Sequence, residues 1–212
     1  SVVGIITQPN KPAGRRKELK PPSVKLPADK FGLETIQPNK LRDEGVFEQL
    51  KKWNPDLIIV VAFGQILRQE VLDLPKYGCI NVHASLLPRW RGAAPIQAAI
   101  LNGDRETGIT IMKLDAGVDT GPILCQKPMQ IFATETYENL SKRLARMGSD
   151  LLLEVLPDYL TGKIKPVKQS DTGVTNARIL KKEDGLLDFT KTSQELERQI
   201  RAFYPWPGSY FI

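Results

Sequence analysis

The run Leu57-Ile58-Ile59-Val60-Val61-Ala62-Phe63 decides the fold class. Seven apolar residues in succession, without polar alternation, are what a strand buried on both faces requires, and such strands belong to parallel sheets covered by helices. The run is also the longest strictly apolar stretch in the chain and falls far short of the roughly 20 residues that cross a bilayer, so no membrane span is expected. Working outward, residues 43–53 read as a short helix stopped by Asn54-Pro55, and helical spacing resumes at Ile66, Leu67, Val71 and Leu72. Cys79-Ile80-Asn81-Val82-His83 reads as the next strand, 93–101 as a helix, and 107–114 and 123–132 as strands separated by a Gly-rich corner over 115–121. The clearest helix carries Tyr137, Leu140, Leu144, Met147, Leu151 and Val155 at spacings of three and four, after a Thr134 or Thr136 cap and before Gly162. Strands alternating with helices predict an α/β, Rossmann-like architecture with a mostly parallel sheet and helices on both faces. The ligand crevice of such a sheet lies beyond the carboxyl ends of its strands, so residues just past Phe63 and near His83 should line it.

The 212 residues suit one large domain, or one domain plus the start of a second. A chain 41% apolar and 25% charged, with 16 Gly and 16 Pro, excludes disordered, collagen-like and coiled-coil proteins. Cys79 and Cys125 lie in apolar surroundings, not in a spaced framework, which argues against a disulfide scaffold and, with no signal-peptide pattern, for a reducing, cytoplasmic setting. The net charge of +6 is concentrated in two places. Residues 10–30 carry seven cations against Glu18 and Asp29, and residues 161–182 carry six against Asp171. Two local basic stretches on a balanced body suggest a polyanionic partner met at those points, although solvated loops would have the same composition. The first stretch also holds Pro12, Pro21, Pro22 and Pro27, a composition that breaks both helix and sheet and predicts a long functional loop. Ser1-Val2-Val3-Gly4-Ile5-Ile6-Thr7 reads as a strand entered partway.

The chemistry gathers after the second strand. Asn81 and His83, two apart, project to the same face, and the chain then opens into Ala84-Ser85-Leu86-Leu87-Pro88-Arg89-Trp90-Arg91-Gly92. An amide donor beside an imidazole can hydrogen-bond one oxygen and stabilise an oxyanion while the imidazole handles a proton. Asp119, on the Gly-rich corner, supplies a carboxylate to hold that imidazole charged and oriented if the two loops meet. Each residue also has a plainer explanation: a lone strand histidine is commonly a hydrogen-bonded core residue, and Asp with Gly makes turns without any ligand. One histidine and two scattered cysteines give no zinc spacing, no phosphate loop or dinucleotide fingerprint is present, and no nucleophile elbow surrounds Ser85. An acyl-type transfer without metal is the reading that remains.

The string from Cys79 through Gln97, which continues the strand and loop above with Ala93-Ala94-Pro95-Ile96-Gln97, resembles the signature of the folate-dependent formyltransferases. Residues 115–121 are similar to that family's second element. Thr7-Gln8-Pro9-Asn10-Lys11-Pro12-Ala13-Gly14-Arg15 and Arg201-Ala202-Phe203-Tyr204-Pro205-Trp206-Pro207 resemble the branch that acts on methionyl-tRNA. The resemblance implies transfer of the formyl group from 10-formyltetrahydrofolate, as cosubstrate, to the amino group of methionine on initiator methionyl-tRNA, by a monomer. It implies Asn81, His83 and Asp119 as the catalytic centre. Ser85, Leu86, Leu87 and Pro88, with Phe63, Ile66 and Leu67, match the folate-binding segments, and Lys11, Arg15, Arg16 and Lys17 fall in the loop that would meet tRNA.

By the same resemblance, residues 1–162 form the catalytic domain without its first strand and helix, which should precede Ser1. Residues 163–181 correspond to a basic interdomain linker, and 182–212 to the start of a C-terminal β-barrel domain that binds tRNA. Arg16 and Glu18 depart from the family's more usual Gly and basic residue. Two rivals are a formyltransferase of the same fold acting on a small amine, such as an amino-sugar nucleotide or glycinamide ribonucleotide, and a non-catalytic RNA-binding module. The basic, proline-rich loop is superfluous for small amines, and formyl transfer distinguishes the enzyme from the module.

Overall fold

The computed structural model describes residues 1–13 and 18–212, which form two compact units, Ser1–Cys79 and Ile80–Ile212.

In the first unit, β1 (Ile5–Ile6) pairs in parallel with β4 (Thr35–Ile36). Between them lie β2 (Lys11–Ala13), β3 (Glu18–Lys20) and α1 (Lys25–Lys30). The stretch expected to be an irregular loop is therefore partly regular, with β2 and β3 making an antiparallel ribbon that pairs Lys11 with Lys20 and Ala13 with Glu18. Proline does not prevent this, because both strands of a two-stranded ribbon are edges, and Pro27 sits in the first turn of α1, where its missing N–H costs no helical bond. The predicted helix over 43–53 is α2 (Val46–Trp53). It ends as expected at Asn54, whose left-handed backbone returns its N–H to Leu50 and Lys51. Gly4 passes so close to the Trp53 ring that any Cβ there would collide with it.

Only three residues of the seven-residue apolar run form β5 (Ile58–Val60), and Ile59 and Val61 are 43% and 58% exposed. The strand stops because Ala62 and Gly64 take left-handed conformations and turn the chain. The helical spacing that follows yields a single turn, α3 (Gln69–Leu72), with Val71 and Leu72 buried.

The second unit is built on β6 (Cys79–His83), β8 (Glu106–Lys113) and β9 (Ile123–Gln130). Between β6 and β8 lie β7 (Arg91–Gly92) and α4 (Pro95–Asn102). The expectation of an α/β fold holds, but the ladder β6–β8–β9 is antiparallel, with Asn81 opposite Met112, His83 opposite Thr110 and Glu106 opposite Gln130. The connection over 115–121 is too short for the crossover that parallel neighbours need.

α5 (Tyr137–Leu160) buries Leu140, Leu144, Leu151 and Val155 of the stripe that its spacing predicts, together with Gly148 and Tyr159, while Tyr137 and Met147 are half-buried. Thr136 is its cap, accepting the Asn139 N–H. Gly148 lets the helix approach the sheet, since a Cβ there would stand 2.8 Å from Val82 Cγ1. Ile80, Ile100, Ile109, Ile111, Met112, Leu140 and Leu144 are among its fully buried side chains.

β10 (Asn176–Ala177) pairs in parallel with β7. Beyond it come a 3₁₀ turn over Lys182–Gly185 and α6 (Ser193–Phe203), which opens with a Thr192–Glu195 capping box. A single bridge joins Leu186 to Tyr210.

Candidate active site

β6 delivers Asn81 and His83 on one face, as their spacing predicts, and the Gly-rich corner carries Asp119 to meet them. Asn81 Nδ2 points to Asp119 Oδ1 at 3.5 Å, and His83 Nδ1 stands 3.6 Å from Asp119 Oδ2. The same Oδ2 accepts the Gly92 N–H at 2.8 Å. The imidazole is buried, and its Nε2 donates to the Trp90 carbonyl at 2.9 Å, since a carbonyl oxygen can only accept. His83 is thus held by a carbonyl on one nitrogen and faces a carboxylate with the other.

Two anchors shape the corner. Asp115 Oδ1 accepts the Gly117 N–H and the Thr120 hydroxyl, the turn chemistry that Asp and Gly predict. Asp119 itself lies in the left-handed region at φ 52, a conformation of higher energy for a residue with a Cβ. Gly121 allows the corner to close on β8, because a Cβ there would overlap the Lys113 carbonyl.

The loop after β6 is held from beneath by Thr110. Its hydroxyl donates to the Ser85 carbonyl at 2.6 Å and accepts the Leu87 N–H and a Gln126 amide hydrogen. Gln126 also donates to the Leu87 carbonyl at 2.8 Å. Ser85 is fully buried and spends its hydroxyl on the Arg89 carbonyl, so it shapes the loop from inside. Leu87 is buried as well, while Leu86 and Pro88 are half-buried. In the first unit Leu67 is buried, Phe63 half-buried and Ile66 75% exposed. Lys11 is exposed on β2, and Arg15, Arg16 and Lys17 lie outside the described residues.

The sequence reading missed the residues that hold this group in place. Asp104 accepts Arg89 through two bonds at 3.0 and 2.6 Å, the Trp90 indole N–H at 2.7 Å and the Asn102 amide at 2.7 Å. Burial alone would raise the Asp104 carboxyl, but the bonds from Arg89, Trp90 and Asn102 outweigh it and hold the group below the usual carboxylate range. The Arg89 guanidinium also lies over the Trp90 ring at 4.5 Å. Thr175 accepts the Trp90 N–H with its hydroxyl and the Arg91 N–H with its carbonyl. The segment expected to be a basic interdomain linker is therefore stitched to the loop that holds His83. Asp104, after Asn102-Gly103, reads as an ordinary turn residue, and Thr175 carries no local signal at all.

Among the described residues no group of His, Cys, Asp and Glu could hold a metal ion, and no helix is long and apolar enough to cross a membrane. What the site offers is an amide, an imidazole and a carboxylate converging at a strand end, equipped to bind one oxygen and move one proton.

The formyl transferase family matches residues 1–156, and the formyl transferase C-terminal domain matches residues 179–212. Over 207 residues the chain is 53% identical to a methionyl-tRNA formyltransferase of Halorhodospira halophila, which covers 98% of this chain and 66% of that protein. A sugar N-formyltransferase from Shewanella sp. FDAARGOS_354 is 25% identical with a TM-score of 0.75, over 91% of this chain and 76% of that one. An N-formyltransferase from Helicobacter canadensis, solved with folinic acid and dTDP-3-aminofucose, is 22% identical with a TM-score of 0.65, over 83% of this chain and 62% of that one. The chain spans about two thirds of the length of the curated relatives it matches. With matches to both formyl transferase domains and about half of its residues shared with that relative, the chain belongs to the formyl transferase family.

Proposed function

We propose that the protein transfers a formyl group from 10-formyltetrahydrofolate to the α-amino group of methionine on initiator methionyl-tRNA. The observation that carries the reading is the convergence of Asn81, His83 and Asp119 at the end of β6. The 53% identity to a methionyl-tRNA formyltransferase supports the choice of acceptor over the small amines of the sugar enzymes.

In this reading the amine nitrogen attacks the formyl carbon, a C–N bond forms and the carbonyl oxygen becomes an anion. Asn81 and His83 stabilise that oxygen. The bond from the formyl carbon to the folate nitrogen then breaks, and the proton released by the amine passes to that nitrogen with Asp119 assisting. Ser85, Leu86, Leu87 and Pro88, together with Phe63, Ile66 and Leu67, are assigned to the folate, and Lys11, Arg15, Arg16 and Lys17 to tRNA phosphates. We assign residues 1–162 to catalysis, 163–181 to the passage between domains and 182–212 to the opening of the tRNA-binding domain.

The test is a formylation assay with methionyl-tRNA and with an amino-sugar nucleotide. Transfer to methionyl-tRNA alone is expected, and transfer to the sugar alone would replace this reading with the small-amine one.

A further inference from the structure

We infer that Gln169 is a positioning residue for the Asp119 carboxylate, an inference that rests on the function proposed above. Gln169 is only 4% exposed, and every hydrogen-bonding site on its side chain is taken. Its Oε1 accepts Arg91 Nε at 3.0 Å and Nη2 at 2.7 Å. Its Nε2 donates to the carbonyls of Asp119 at 2.9 Å and of Gly121 at 2.8 Å. One amide therefore ties the loop after β6, through Arg91, to the corner that carries the carboxylate.

The corner needs that tie. A non-glycine residue at positive φ persists only where its surroundings over-determine it, and Asp119 is such a residue. Asp115 braces the entry to the turn, and Gln169 braces the exit. The segment bearing Gln169 is itself anchored two residues earlier, where Val167 and Ile123 exchange N–H···O bonds at 2.7 and 2.8 Å. Without the amide, the backbone of Asp119 relaxes toward negative φ and its carboxylate turns away from His83 and the Gly92 N–H.

His83 is the only histidine among these 212 residues, and its imidazole, assigned by the resonances that His83→Ala removes, reports the geometry by nuclear magnetic resonance. In the full-length protein, Gln169→Met removes both donors while keeping the volume. Gln169→Glu keeps the shape and the Arg91 contact but sets an oxygen against the two carbonyls, and it serves as the second variant should the first fail to fold. The expected result is that the His83 ring resonances of either variant move most of the way to those of Asp119→Ala. Turnover should fall about tenfold or more, with the Michaelis constants for both substrates within about twofold, and Gln169→Met should cost nothing further in an Asp119→Ala background. Resonances that stay at wild-type positions while Asp119→Ala moves them, or losses that multiply in the double variant, would overturn the assignment. The resonance measurement needs no formyl transfer, so it stands apart from failure of the proposed reaction.

Discussion

Trp90 donates its indole N–H to Asp104 at 2.7 Å and offers its backbone carbonyl to the imidazole of His83 at 2.9 Å. The side chain thus fixes a peptide group whose oxygen holds a buried ring. Asp104→Asn keeps the shape but gives up the charge that binds Arg89. Loss of stability by about 1–2 kcal/mol is expected, at the lower end for a charged hydrogen-bond network because Arg89 is 40% exposed and solvent screens the pair. Turnover should fall about tenfold at unchanged tRNA affinity, and denaturant unfolding with steady-state kinetics checks both. Unaltered turnover would show that Trp90 keeps its place without Asp104.

His83→Ala and Asp119→Asn should each lower turnover at least roughly a hundredfold, the usual loss when one oxyanion or proton-transfer group is removed. Folate affinity, measured by fluorescence titration, should change little. Near-normal formylation by either variant removes that residue from the mechanism.

Gly148→Ala tests the packing of α5 on the sheet. In an exposed helix this exchange gains up to about 1 kcal/mol. Here the new methyl would lie 2.8 Å from Val82, between the two site residues of β6, so a loss of about 1–3 kcal/mol is expected. A raised unfolding midpoint would show that Val82 gives way freely.

Asp184 receives two bonds from Arg178 and the Lys181 N–H, and together they lower its carboxyl from the usual 3.8 to about 2. A carboxyl depressed in the folded state stabilises it above the unfolded value, and that contribution disappears as pH falls through the folded value. The stability difference between wild type and Asp184→Asn should therefore be constant above about pH 5 and shrink between about 4 and 2. Urea unfolding across that range measures it, and a difference that grows on acidification contradicts the sign.

Arg15, Arg16 and Lys17 stand in a stretch of seven cations and two anions. Replacing all three by Ala should reduce the salt dependence of tRNA binding by up to about two to three units of log–log slope, since each phosphate contributes about 0.7–0.9. Michaelis constants for methionyl-tRNA over a salt series decide it, and equal slopes would make this a solvated excursion.

Asn81, His83 and the stripe of α5 are legible in the sequence because local periods of two and 3.6 place them without reference to distant chain. The antiparallel sense of β8 and β9 follows from a connection whose length could also be read. Other features are settled elsewhere. The run 57–63 has the composition of a long buried strand, yet the backbone turns at Ala62, a residue with no turn preference. Gln169 and Thr175 look like ordinary polar loop residues, and their roles arise from partners 78 and 85 positions away. Proline predicts irregular chain at Pro12, where a two-stranded ribbon has room for it.

The pairing of β7 with β10 also sets an order of assembly during synthesis. Asn81, His83 and Asp119 have all been translated by residue 119, but β7 gains its neighbouring strand only when Asn176 and Ala177 emerge. At about 5–20 residues per second, the intervening chain takes several seconds to appear. A nascent chain therefore carries Asn81, His83 and Asp119 before β7 is paired, and the loop beside them is completed with the late arrival of β10.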